Sequence, residues 1–125
     1  MLKDKYIISD KVVVDKVVEG IQERKGKQIV VVDFNRFKDA PCQYFVICEG
    51  DSSTHVNSIA VSIKDYVNEK IKISPFAVDG LENSEWIAID YGQIIVHVFQ
   101  RASREFYDLE HLWADAQINY IENLN

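Results

Sequence analysis

Any catalysis by this 125-residue chain would have to draw on three histidines (His55, His97 and His111), two cysteines and the scattered carboxylates. A serine hydrolase of the common α/β type would carry a G-x-S-x-G elbow, and the sequence has none. Cys42 and Cys48 stand six residues apart, with Cys48 inside an apolar run. That spacing fits neither a redox C-x-x-C nor a zinc site, so both read as buried free thiols. Nor does any H-E-x-x-H or comparable cluster of histidine, cysteine and carboxylate occur, so no bound metal is expected. No G-x-G-x-x-G or G-x-x-x-x-G-K follows a strand, which removes the usual phosphate loops.

Gly50-Asp51-Ser52-Ser53 is the most suggestive of the remaining segments, because a small polar turn opening a helix can cradle a phosphate. A nucleotidyltransferase would also need two carboxylates two residues apart on one strand face to hold magnesium. Asp33 is followed at that offset by Asn35, Asp65 by Val67 and Asp90 by Gly92, so none of these three supplies the pair. The segment therefore reads as the capped start of a helix, and no cofactor is expected.

Charge points to binding instead. Residues 1–72 carry 12 Lys and Arg against 11 Asp and Glu, whereas residues 73–125 carry 2 against 9. Between Ile73 and Gln100 lie Asp79, Glu82, Glu85 and Asp90 with no basic residue. Such a region repels nucleic-acid backbones and attracts basic proteins. It contains Trp86 and, in an otherwise apolar run, His97; Tyr107-Asp108-Leu109-Glu110 adds another aromatic among acids. Aromatics ringed by acids suit the centre of an interface with a basic partner.

The elements that would position these groups follow from periodicity. Val13, Val14, Val17, Val18 and Ile21 form a helical stripe behind Ser9-Asp10, predicting a helix over about 10–25. Gln28–Phe34 and Tyr44–Cys48 are unbroken apolar runs, predicting strands buried on both faces. A second helix is expected over about 53–70, and then an edge strand near 73–78, where Pro75 lacks a ladder donor. Strand, helix, strand in that order implies a parallel crossover. Trp86–Tyr91 and Ile94–Phe99 predict a hairpin turning at Gly92-Gln93. A short helix opens at Ser103, packing through Phe106, Leu109, Leu112 and Trp113, and residues 117–125 read as a tail, helical at best. The expectation is one α/β domain over 1–125, with a core of about 10–116, a mixed, mostly five-stranded sheet and helices on both faces. No apolar run approaches the roughly 20 residues of a membrane span. The charged start, Met1-Leu2-Lys3-Asp4-Lys5-Tyr6, carries no secretory signal, so a cytoplasmic protein is expected.

Several ordered motifs stand out: Tyr44-Phe45-Val46-Ile47-Cys48-Glu49-Gly50, Ser52-Ser53-Thr54-His55-Val56 with Ile59-Ala60, Asp79-Gly80-Leu81-Glu82 through Glu85-Trp86, Asp90-Tyr91-Gly92 through Phe99, and Arg104-Glu105-Phe106-Tyr107-Asp108-Leu109-Glu110 with Leu112-Trp113. From about Asp10 to Gln117 the chain resembles, through these motifs, the ribosomal silencing factors, or Iojap family. The resemblance implies a nucleotidyltransferase-like α/β fold without the metal carboxylates, and a protein that is not an enzyme. It implies binding to the large ribosomal subunit at its fourteenth protein, blocking small-subunit joining when nutrients are scarce. Carried over, Trp86 belongs to the contact surface with Glu82, Asp90 and Tyr91 beside it, and His97, Tyr107 and Glu110 occupy further motif positions. The sequence departs from the family pattern at Gln43, where Asp is usual, at Cys42, where Thr is usual, and at Asn83, which stands in place of a glycine. An enzyme of the nucleotidyltransferase type and a homodimeric scaffold paired through sheet edges are the alternatives the residues themselves leave open.

Overall fold

Valine and isoleucine dominate the buried positions, and their stiff β-branched side chains favour the pleated surface on which most of them stand. The computed structural model describes residues 8–113 and 115–124. The charged start at residues 1–6 therefore lies outside the described residues.

Among these, six strands form one sheet in the order β3-β4-β5-β2-β1-β6. They are β1 (Lys27–Asp33), β2 (Tyr44–Gly50), β3 (Ala77–Asp79), β4 (Trp86–Asp90), β5 (Ile94–Gln100) and β6 (Gln117–Tyr120). Three α-helices accompany them: α1 (Asp10–Glu23), α2 (Ser53–Ile71) and α3 (Arg101–Tyr107). β2 and β5 are parallel; every other pairing is antiparallel. The mixed α/β architecture expected from the sequence is therefore present.

α1 and α2 lie together on one face. They enclose Ile29, Val31, Val46, Cys48, Ile87, Ile89, Val96 and Val98 from the sheet with Val17, Ile21, Val56, Ile59 and Ile63 from the helices. Each such side chain contributes roughly 1.5–3 kcal/mol when fully withdrawn from water. Gly20, an unfavourable residue inside a helix, has a packing reason: a Cβ there would stand 3.0 Å from the Ile63 backbone, and Ser62 donates a 2.8 Å hydrogen bond to the Gly20 carbonyl. Ser9 caps α1 by accepting from Val12 N, and Ser52 caps α2 by accepting from His55 N. The Gly50–Ser53 turn is thus a capped helix start.

The opposite face is covered over β1 and β2 by Phe34, Phe37 and Cys42 from the β1–β2 connection, and by Leu109, Trp113 and Ala116 from the segment after α3. Both cysteines are buried free thiols, and burial pushes Cys42 up to about 11 and Cys48 up to about 12.

Three boundaries differ from the sequence reading. The expected tail contains β6, a strand that pairs with the free edge of β1 and inserts Ile118 against the Phe34 cluster. With one apolar residue in four, it is too short to reveal a period. The helix expected from Ser103 ends at Tyr107, where Asp108 turns left-handed at φ 47°, and Leu109–His111 follow as a 3-10 turn. The crossover from β2 through α2 does reach a strand of the same direction, since two antiparallel steps separate β3 from β5. β5 and β4 lie between them, so β2 pairs with β5, and the strand expected near 73–78 is β3, at the edge as Pro75 suggested but over Ala77–Asp79.

Candidate functional site

The β4–β5 hairpin turns at Gly92-Gln93, which pairs Trp86 with Phe99, Ala88 with His97 and Asp90 with Ile95. All six side chains point away from α1 and α2, because side chains alternate across a strand. β3 continues the rows, with Asp79 opposite Ala88 and Ala77 opposite Asp90. Ala77 and Asp79 are exposed, and Ala88 and Asp90 only half-buried. The β3–β4 part of this face meets solvent, whereas His97 and Phe99 of β5 are buried and the β1–β2 half is covered.

Trp86 is half-buried at the border of the two halves. Its indole stacks on the fully buried Phe99, with centroids 5.1 Å apart, and Tyr107 of α3 lies against it at 4.6 Å. Tyr107 in turn meets Phe106, which is 82% exposed. A line of rings therefore runs from the core to the surface. The indole N–H donates to His97 Nδ1 at 3.0 Å. An indole nitrogen can only donate, so Nδ1 accepts and the proton resides on Nε2, which is buried with no partner among the described residues. Burial holds His97 down at about 4, well below the usual histidine value, so the ring is neutral at pH 7.

The acidic turn before Trp86 is tied down. Gly80 has φ 94°, and a Cβ there would overlap the Trp86 carbonyl oxygen, so only glycine lets the chain pass. Ser84 N–H donates to the Gly80 carbonyl and Ser84 Oγ to that of Leu81; Asn57 of α2 donates to Ser84 Oγ. Gln100 donates from its side chain to the Ser84 carbonyl and from its backbone to that of Glu85. Glu82 and Glu85 are thus exposed on a loop anchored to both α2 and β5. Neither Ser84, Asn57 nor Gln100 was singled out from the sequence, since their partners lie 16 to 27 residues away or fall within a turn.

The residues expected at the contact surface divide. Trp86, His97 and Tyr107 come together, with Glu82 on the adjoining turn. Asp90 shares their face but stands four residues along β4 from Trp86, roughly 13 Å away at strand spacing, and accepts from Gly92 N–H to shape the hairpin turn. Tyr91 points the other way: it is buried among the side chains under α1 and α2, and burial pushes its hydroxyl up to about 12. Glu110 is also not at the open face. Its side chain, 13% exposed, makes two hydrogen bonds to Arg104, at 2.9 and 3.1 Å.

Arg104, which the sequence offered only as part of a motif, has a role that sequence reasoning did not assign. Buried on α3, it binds Glu110, Glu49 Oε1 at 3.1 Å and the Gln28 carbonyl at 2.6 Å, joining β1, β2 and the 3-10 turn. Gln28 offers that carbonyl because it adopts φ 52° at a bulge in β1. The clamp fixes α3, and with it Tyr107 over the indole. It borders a cavity of about 720 Å³ at the ends of β2 and β5, the place where open α/β sheets commonly hold ligands. Here Arg104, the buried one of the two arginines that line it, is already engaged by two carboxylates. Among the described residues no cluster of three or more metal-ligating side chains occurs, and no helix is long and apolar enough to cross a membrane.

Residues 8–125 match the family model described as ribosomal silencing factor during starvation. The chain is 30% identical over 118 residues to a ribosomal silencing factor of Halalkalibacterium halodurans, covering 94% of this chain and 98% of that one. It is 28% identical over 105 residues to the mouse mitochondrial assembly of ribosomal large subunit protein 1, covering 80% of this chain and 44% of that longer protein. A crystal structure of a Chromobacterium violaceum protein superposes with a TM-score of 0.80 at 25% identity, covering 93% of this chain and 95% of that one. A half-open sheet carrying an aromatic line and an acidic turn is thus the surface offered by a chain that belongs to the ribosomal silencing factor family.

Proposed function

We propose that this protein acts in the cytoplasm by docking on the large ribosomal subunit at its fourteenth protein, so that its bulk keeps the small subunit from joining when nutrients are scarce. The observation that carries this reading is the uncovered part of one sheet face, bordered by the half-buried Trp86 and flanked by Asp79, Glu82 and Glu85 within a stretch that holds no lysine or arginine. Half-buried aromatics with carboxylates at the rim suit a basic protein surface: the rings supply contact area, and the charges speed encounter and set orientation. The mouse relative named for assembly of the large ribosomal subunit supports the choice of subunit.

Steric occlusion needs no cofactor and no reacting group. The pairing of Arg104 with Glu49 and Glu110 agrees with that, since the cavity beside it keeps its buried charges for internal use. Sedimentation of purified subunits, with and without the protein, tests the reading. Joined particles should diminish as protein is added, and unchanged joining at saturating protein would reject it.

A further inference from the structure

We infer that His97 is a positioning residue: by accepting the Trp86 indole N–H it holds the ring in the orientation that docks, without itself touching the partner. The inference rests on the large-subunit reading above and deepens it.

Trp86 and His97 are diagonal neighbours on one face of the β4–β5 hairpin, within the reach of aromatic side chains. Their ring centroids lie 5.8 Å apart, and the hydrogen bond between them is 3.0 Å. His97 cannot adjust easily. It packs edge-on against Phe45 at 4.6 Å and parallel to Phe99 at 6.1 Å, and only 6% of its surface is exposed. A packed, fixed acceptor therefore determines where a half-buried indole points. Opposite His97 stands Ala88, whose small side chain leaves the indole without a lateral support of its own on β4.

The cost of this arrangement identifies its purpose. Nε2 carries a proton and is buried with no acceptor among the described residues, which costs on the order of 1–3 kcal/mol. A phenylalanine at the same place would pack among the same rings with no orphaned donor. The histidine contributes one thing that phenylalanine lacks: an acceptor aimed at Trp86. Because burial keeps the ring neutral, that acceptor is present throughout the physiological range. Nε2 itself has no accessible surface, so a partner laid on the face reaches the indole and not the imidazole.

The test compares His97→Phe, which removes the acceptor, with His97→Gln, which restores an amide oxygen. On the isolated protein, the Trp86 indole N–H resonance, assigned by its loss in Trp86→Phe, should move upfield and exchange faster in His97→Phe, with partial return in His97→Gln. Co-sedimentation with large subunits should weaken roughly tenfold in His97→Phe, the effect of one lost hydrogen bond's worth of preorganisation, and recover in His97→Gln. A purely structural histidine would alter the melting temperature without changing the affinity of the folded fraction. His97→Phe that releases the indole yet binds like the wild type overturns the inference. Wild-type protein that fails to sediment with large subunits overturns the docking reading itself, a separate outcome.

Discussion

Under α1 and α2 the sheet presents Ile87, Ile89, Val96 and Val98, all inaccessible to solvent; on the other side the same β4 and β5 present Trp86, Ala88, Asp90, Ile95 and His97, and β3 adds Ala77 and Asp79. One strand pair thus serves two purposes, because successive side chains face opposite ways. The closed side is uniformly branched and apolar, which suits permanent burial. The open side combines small residues, acids and stacked rings, a composition that tolerates water and can exchange it for a partner. Stability and recognition are therefore separable by face, and substitutions should separate them too.

The largest effect is expected at the border, where Arg104 neutralises Glu49 and Glu110. Arg104→Met leaves two nearly buried carboxylates unpaired and should lower unfolding free energy by roughly 3–5 kcal/mol in urea titrations. On the closed side, Ile63→Ala should cost roughly 2–5 kcal/mol by the same measurement, while the folded fraction binds large subunits as before. Weakened binding by that folded fraction would erase the distinction between faces.

Acid should next reveal His97. Its ordinary value near 6.5 falls to about 4 in the fold, so between those pH values the unfolded chain holds a proton that the folded chain refuses. Stability attributable to the neutral ring is complete above about pH 6.5 and declines toward pH 4, a loss of roughly 3 kcal/mol. His97→Gln should flatten that part of a stability-against-pH curve. An unaltered slope would mean that another group governs it.

The smallest effect belongs to the acidic rim. Glu82→Lys and Asp79→Lys should each change affinity for large subunits by under about 1 kcal/mol, chiefly through a slower association rate whose deficit shrinks in high salt. No response to salt would remove charge from the account.

How much of this was legible in the sequence depended on the range of each interaction. The stripe Val13, Val14, Val17, Val18, Ile21 declared α1, and the two-residue turn at Gly92-Gln93 set the hairpin register. Counting outward from that turn pairs Trp86 with Phe99 and sets His97 diagonally from Trp86, so this contact was within reach of sequence reasoning. The same count sets Tyr91 opposite Ile94 and on the parity of Ile87 and Ile89, so its place in the closed core was within reach as well. Glu110 read as a surface acid because its partner, Arg104, is buried by contacts to Gln28 and Glu49, 76 and 55 residues away. Likewise β6 depends on the free edge of β1, a tertiary circumstance that four residues with one isoleucine do not announce.

The central claim is that the open half-face around the Trp86 indole meets the large subunit. Its most direct test is co-sedimentation of Trp86→Ala with purified large subunits, alongside thermal melts of the same preparation. The account predicts a cooperative melt, showing a folded domain, together with binding weakened by at least about 2 kcal/mol, or roughly thirtyfold, as expected for an interface anchor. A folded Trp86→Ala protein that sediments with large subunits as tightly as the wild type would contradict it.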